Sequence, residues 1–297
     1  MKSEELKMKI LVLGASGTIG SALYQVLSGA KEYAVYGTFN RNKPDNIREE
    51  YWRGYDISDA AELDEILGSI RPDMVISSLT GDFELQMDAH RRVAAYLKDT
   101  SGRMIFMSTA NVFDGDVRGE HSEDSVPYPI SAYGKFKKSC EELLVNALGG
   151  KCLTIRLPKI FSTDYAKSLI QQAESGQPIY SNLYMNLNTA PNVAQAVMSC
   201  IEIGKSGVLH LISRDRISIG ECVNLLQMQC GKSISLRPER LTTESYCNAL
   251  SCDNSELLRV SEDGNFYLTM ISSDEDIALK VGIMCQEIIK KSMGERT

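Results

Sequence analysis

The sequence predicts an α/β protein, a doubly wound parallel sheet with a smaller C-terminal substrate-binding region. Three observations carry that prediction. Short apolar runs of the buried-strand kind alternate with helix-periodic segments from residue 9 to about residue 160. The first run leads directly into glycines spaced G-x-x-G-x-x-G, Gly14, Gly17 and Gly20, ahead of a helical pattern. Beyond residue 160 the alternation thins out. Such alternation builds βαβ units with helices on both sheet faces, and right-handed crossovers bring the carboxyl ends of the strands, with any ligand, to one edge.

In chain order, Ile10 to Leu13 reads as the first strand, and Ile19, Leu23, Val26 and Leu27 as the buried stripe of the first helix. Between them the glycines let the backbone turn sharply and approach a pyrophosphate, while the helix N-terminus presents free N–H groups. Gly14, Ser16, Gly17, Thr18, Ile19 and Gly20 are accordingly read as dinucleotide-binding. Tyr33 to Phe39 is the second strand, and the residues around its end select the dinucleotide. A carboxylate there accepts from the ribose 2′-OH of NAD and repels a 2′-phosphate. Here stand Thr38, Asn40, Arg41 and Lys43 instead, so NADP(H) is expected ahead of NAD(H), with the Arg41 fork as the main phosphate ligand.

Tyr55 to Asp59 follows, with Asp56 at a strand end where it either meets an adenine amino group or forms a turn. Ser58 or Asp59 then caps a helix carrying Leu63, Ile66 and Leu67, and Arg71-Pro72 closes it. Asp73 to Leu79 is a buried strand, Phe83 to Leu97 a helix, and Arg103 to Ser108 another strand. Thr109 stands at that strand's carboxyl end, and Tyr133 and Lys137 share a face at the start of the next helix. An ammonium beside a phenol lowers its pKa from about 10, which makes Tyr133 an acid/base. With Thr109 donating to a carbonyl oxygen, the set suits ketone reduction by hydride from a nicotinamide.

Composition narrows the alternatives. Among 297 residues, 39 acidic against 32 basic side chains leave a net charge of -7, which disfavours nucleic acid as a partner. Eight cysteines are scattered without a C-x-x-C pair, as in a reduced protein. His90, His121 and His210 show no metal-ligand spacing, and Ser108 belongs to no G-x-S-x-G elbow, so neither a metal nor a hydrolase nucleophile is expected. The short charged start and the lack of a long apolar run predict a cytoplasmic protein without membrane association.

GASGTIG at 14–20, YDISD at 55–59, STANVFDG at 108–115 and YGKFK at 133–137 resemble the extended short-chain dehydrogenase/reductases. STANVFDG followed by EHSEDSVPYPISAYGKFK is most similar to their dTDP-4-dehydrorhamnose reductase branch. The resemblance implies a Rossmann-like fold and a catalytic set carried by Thr109, Tyr133 and Lys137. It also implies that Lys137 holds the nicotinamide ribose, that Leu157 and Pro158 face the nicotinamide, and that Asp56, Ile57, Ser78 and Leu79 line the cofactor. The implied activity is NADP-dependent reduction of a keto group on a nucleotide-activated deoxysugar. The alternatives are an NAD-dependent sugar-nucleotide epimerase or dehydratase, and a non-catalytic protein resembling the regulatory subunit of methionine adenosyltransferase. Ser77 to Gly81 replace an alanine-rich segment of that branch, Asp88 is the nearest candidate for a helix asparagine, and Asn111 stands where an aromatic is common.

Residues 1–162 with about 191–212 are assigned to the dinucleotide-binding domain, and about 163–190 with 213–297 to the substrate-binding region. Arg214, Arg216, Arg237, Arg240 and Arg259 are the candidate cations for a nucleotide diphosphate. Helices near 83–97 and 134–146 are the expected faces of a homodimer.

Overall fold

The computed structural model describes residues 7–41, 43–45, 48–175, 179–180, 183–212, 216–230, 238–239, 246–248 and 250. The first half of the chain alternates strand and helix, with one exception. β1 (Met8–Leu13), α1 (Thr18–Ser28) and β2 (Tyr33–Phe39) are followed by β3 (Trp52–Gly54), reached from β2 by way of a 3-10 turn, Glu49–Tyr51. Then come α2 (Ala60–Ile70), β4 (Met74–Ser77), α3 (Phe83–Lys98) and β5 (Arg103–Thr109). α4 (Ala132–Leu148) and β6 (Cys152–Leu157) complete it, and a later crossover, α6 (Ala190–Glu202) into β10 (Gly207–His210), returns to the same sheet. The seven strands lie in the order β10-β6-β5-β4-β1-β2-β3, every pairing parallel.

Local signals account for the helix ends. Asp59 caps α2 by accepting from Glu62 N, and Arg71 in the left-handed region at φ 52° ends that helix before Pro72. Ser131 caps α4 and Thr189 caps α6, whose first turn carries Pro191. Successive residues of β1 point to opposite faces. Ile10 and Val12 join Leu23, Leu27, Val193 and Val197 under α1 and α6, whereas Leu11 and Leu13 join Leu63, Val93, Leu97 and Leu144 under α2, α3 and α4. Burial on both faces explains why β1 and β4 read as continuous apolar runs.

The departures from expectation lie after β6. The last strand of the large sheet stops at His210, although Leu211 and Ile212 remain buried. Pro158 ends the path through the large sheet, and β7 (Lys159–Ile160) already pairs with β9 (Leu183–Asn188) in a second sheet. Between them come α5 (Thr163–Glu174) and β8 (Ile179–Tyr180); β11 (Arg216–Ser218), α7 (Ile219–Cys230), β12 (Pro238–Glu239) and β13 (Tyr246–Asn248) follow β10. β9 is flanked by β11 and β13, and β8 pairs with β12. Phe161, Leu169, Leu187, Ile217 and Cys222 form this region's own core. Among the described residues no helix is long and apolar enough to cross a membrane. Cys140, Cys152, Cys200 and Cys222 are buried free thiols.

Candidate active site

The three glycines of the first loop have different reasons. Gly14 sits at φ +77°, and a Cβ there would stand 2.9 Å from the Ser78 carbonyl oxygen; at Gly20 it would stand 2.1 Å from the Gly14 oxygen. Those two positions are demanded by backbone crossing backbone. Gly17 has an ordinary φ of -81°, and its added Cβ would meet nothing closer than 3.4 Å, so the folded chain alone does not require glycine there. What Gly17 leaves clear is the approach to the α1 N-terminus, which no side chain caps. Ser16 and Thr18 are exposed beside it, and Ile19 turns into the cleft described below. This cradle fits the pyrophosphate of a dinucleotide.

At the ends of β2 and β3 the expected phosphate pocket shrinks. Thr38 is buried, and its Oγ1 accepts from Gly14 N at 2.9 Å, so it braces the glycine loop and is not a phosphate ligand. Lys43 is engaged by Glu49 at 2.5 Å. Asn40 and Arg41 stay exposed beyond the strand, with Arg41 the cation left for a 2′-phosphate. Asp56 Oδ1 accepts from Ser58 N at 2.9 Å and Ser58 Oγ at 2.7 Å. Those bonds, helped by Arg41, hold its carboxyl below the usual range and make it a turn-former first. Ile57 beside it is half-buried.

A cleft of about 530 Å³ opens at the carboxyl ends of β1, β4, β5 and β6. It gathers Ile19, Ser78, Leu79, Thr109, Asn111, Tyr133, Lys137, Leu157 and Pro158 from one side, and Lys159, Tyr165, Met185 and Ile219 from the other. Thr109, Tyr133 and Lys137, 28 residues apart at the widest, therefore share one cavity. Tyr133 is 40% exposed, while Lys137 is 6% exposed.

The electrostatics differ from the sequence expectation. Lys137 Nζ donates to the Met107 carbonyl at 2.9 Å and lies 5.9 Å from the centre of the Tyr133 ring. Burial pulls the ammonium down to about 8, and burial raises the Tyr133 phenol, a trend that the Thr109 hydroxyl only partly opposes. The expected lowering of Tyr133 by Lys137 is thus absent in this state, because the ammonium is aimed at a backbone carbonyl. Asp88 does not enter the site either; it pairs with Arg92 at 2.8 Å on the outside of α3. His90, two residues on and buried on the inner side of α3, bonds Ser77 Oγ at 2.8 Å and lies 3.7 Å from Cys140 Sγ. Burial, with Lys137 nearby, pushes it down to about 3, so its ring is neutral.

Several supporting residues escaped the sequence reading because nothing local signals them. Asp114 accepts from Ile130 N at 2.6 Å and from the Ser131 hydroxyl, which in turn caps α4 through Gly134 N at 3.0 Å. A Cβ on Gly134 would stand 2.2 Å from the Asn111 carbonyl, so the start of α4 is pressed against the Thr109–Asn111 turn. Behind them, Glu141 accepts from Ser108 Oγ and from Arg156 Nη2 at 2.9 Å, and Arg156 lies over the Phe113 ring at 5.0 Å. This pair is 7% and 4% exposed. Lys159 was also missed. Its Nζ sits 4.4 Å from the Tyr165 ring centre, and with Lys137 it supplies the charge of a cleft lining that contains no Asp or Glu among the described residues. Of the arginines suggested for a diphosphate, Arg214, Arg237, Arg240 and Arg259 lie outside the described residues, and Arg216 opens β11.

The parallel sheet with its glycine-turned first crossover is a Rossmann-like, doubly wound fold, shared with a dTDP-4-dehydrorhamnose reductase from Yersinia enterocolitica at 19% identity and a TM-score of 0.71. Within that fold class, residues 8–257 match the RmlD substrate binding domain, and the chain belongs to that family. It is 24% identical over 217 residues to a dTDP-4-keto-6-deoxy-D-glucose reductase of Streptomyces niveus, covering 67% of this chain and 71% of that one. It is 28% identical over 160 residues to methionine adenosyltransferase 2 subunit beta of Rattus norvegicus, covering 52% of this chain and 47% of that one. Similar solved structures include dTDP-4-dehydrorhamnose reductase from Bacillus anthracis in complex with NADP, at 16% identity, TM-score 0.71, and coverage of 96% of this chain and 100% of that one. UDP-glucuronic acid 4-epimerase from Bacillus cereus in complex with NAD shares the fold equally, at 20% identity, TM-score 0.72, and coverage of 95% and 99%.

Proposed function

We propose that this chain reduces a keto group on a nucleotide-activated deoxysugar with NADPH, and that residues 1–162 and about 191–212 bind the cofactor while the remainder covers the substrate. The observation that carries the reading is the convergence of Thr109, Tyr133 and Lys137 in one cleft at the strand ends beside the glycine cradle. Bound NADPH supplies the hydride. Thr109 donates to the carbonyl oxygen and orients it, and Tyr133 gives that oxygen its proton. Lys137, fixed on Met107, holds a positive charge near the ring and stabilises the phenolate that proton loss creates. Gly14, Gly17 and Gly20 keep the pyrophosphate path open, Arg41 takes the 2′-phosphate, and Ser78, Leu79 and Leu157 line the nicotinamide end.

Lys159, in a lining without Asp or Glu among the described residues, favours an anionic substrate, in keeping with the nucleotide-sugar reductases among its relatives. Because NAD- and NADP-bound neighbours share the fold, the preference for NADP rests on Asn40 and Arg41 standing where an NAD enzyme carries an acid. Cytoplasmic residence and a homodimer through the α3 and α4 faces complete the proposal.

The experiment is a titration of the full chain with NADPH and NADH, with and without dTDP or UDP, followed by turnover of dTDP-4-keto-6-deoxysugars. NADPH preference strengthened by a nucleotide diphosphate is the expected result. Tyr133→Phe is then expected to cut turnover by about 10² to 10⁴ while leaving NADPH affinity nearly intact. Tight NADPH binding without turnover of any such sugar would transfer the assignment to the regulatory role of the methionine adenosyltransferase subunit, and retained tightly bound NAD would transfer it to an epimerase or dehydratase.

A further inference from the structure

A second cavity, of about 430 Å³, lies away from the cleft between the C-terminal end of α1, the start of β2 and the approach to β3. Its charge runs against that of the chain. In a protein of net charge -7, the lining holds Lys7, Lys31 and Arg48 and, among the described residues, no Asp or Glu. None of these three cations takes part in an ion pair of the described residues. Glu32 and Glu202 act on the Tyr33 phenol from outside this lining.

The apolar wall is aromatic. Tyr24 and Trp52 lie with ring centres 4.5 Å apart, and Tyr51 completes the surface. Trp52 is only 7% exposed, yet its Nε1–H makes no hydrogen bond of normal geometry; the Tyr24 phenol beside it is the acceptor it leans toward. β3 pairs with β2 only from Gly37 to Phe39, so among the described residues no strand covers the outer edge of Tyr33 to Tyr36 at the cavity floor.

Excess cations call for a compact anion, and the size and aromatic wall call for a planar ring attached to it. We infer that this cavity is a second ligand site for a nucleoside monophosphate, separate from the dinucleotide cradle at the opposite end of α1. The phosphate meets Lys7, Lys31 and Arg48, and the base lies against the tyrosine wall.

The chain has a single tryptophan, and it is in this cavity, so intrinsic fluorescence reports on the site directly. With NADP⁺ saturating the cofactor cradle, AMP titrated into the full chain is expected to change Trp52 emission saturably. Lys31→Glu combined with Arg48→Glu, both on exposed side chains, is expected to weaken AMP by at least about tenfold while leaving NADP⁺ affinity unchanged. Adenosine and inorganic phosphate are each expected to bind at least about tenfold more weakly than AMP. The inference is overturned by any of three results: no saturable signal with AMP, displacement of AMP by NADP⁺, or equal AMP affinity in the charge-reversed variant. Adenosine matching AMP would remove the phosphate, and inorganic phosphate matching it would remove the base.

Discussion

The two halves of the proposed catalytic edge are built by opposite means. On the cofactor side, β1, its loop and α1 are shaped by missing side chains: Gly14 and Gly20 let backbone cross backbone at distances that no Cβ tolerates. On the substrate side, β5, α4 and β6 are shaped by side chains that reach one another across long stretches of sequence. Lys137 reaches Met107, Asp114 reaches Ser131, and Glu141 holds Arg156 and Ser108. The first half is a steric device with short sequence range, whereas the second is a buried polar network that is stable only when every member is present.

That contrast is open to attack, beginning at the network. Glu141→Ala leaves the guanidinium of Arg156 buried without its carboxylate, and chemical denaturation is expected to show a loss of about 3–5 kcal/mol. Replacing the pair together, Glu141→Leu with Arg156→Met, is expected to restore much of it; equal losses in both variants would mean that packing, not charge, matters there. In the steric half, Gly20→Ala is expected to cost about 1–3 kcal/mol because its methyl would collide with the Gly14 carbonyl. Gly17→Ala is the counterpart that sharpens the comparison, since its thermal midpoint should stay near wild type while NADPH affinity drops.

The pH response separates the halves again. Burial holds the folded Lys137 at about 8, below its unfolded value, so the charged form costs stability at neutral pH and the cost is relieved as pH rises from about 8 toward 10.5. Relative to Lys137→Met, wild type should therefore gain stability across that window, while its kcat/KM falls above about pH 8 as the ammonium is lost. Parallel stability curves for the two proteins would remove this reading. The smallest effect belongs to the exposed rim: Arg41→Glu is expected to weaken NADPH by about tenfold and leave the thermal midpoint alone. An unchanged ratio of NADPH to NADH affinity would assign the 2′-phosphate elsewhere.

Most of the fold was legible because its signals are local. Buried strands read as apolar runs, the cap Asp59 precedes its helix, and Arg71-Pro72 ends α2 where the backbone turns left-handed. The residues proposed for catalysis were legible for a related reason, since Tyr133 and Lys137 sit one helical turn apart and Thr109 ends a strand. Misreadings arose where exposure decides chemistry. Thr38 and Lys43 have the residue types for a phosphate pocket, but one is buried under the glycine loop and the other faces Glu49. The brief β7, just past Pro158, has no periodicity of its own and exists only because β9 is there to pair with it.

By itself the sequence determined the alternation of strands and helices, the glycine turn and the spacing of Tyr133 from Lys137, because backbone sterics and helical repeat act over a few residues. Tertiary structure alone decided that Lys137 bonds the Met107 carbonyl with its pKa depressed, that Asp114 and Glu141 anchor α4, and that Lys159 joins the cleft from a second sheet. Those properties depend on desolvation and on partners up to 30 residues away or further, quantities that exist only once the chain has folded.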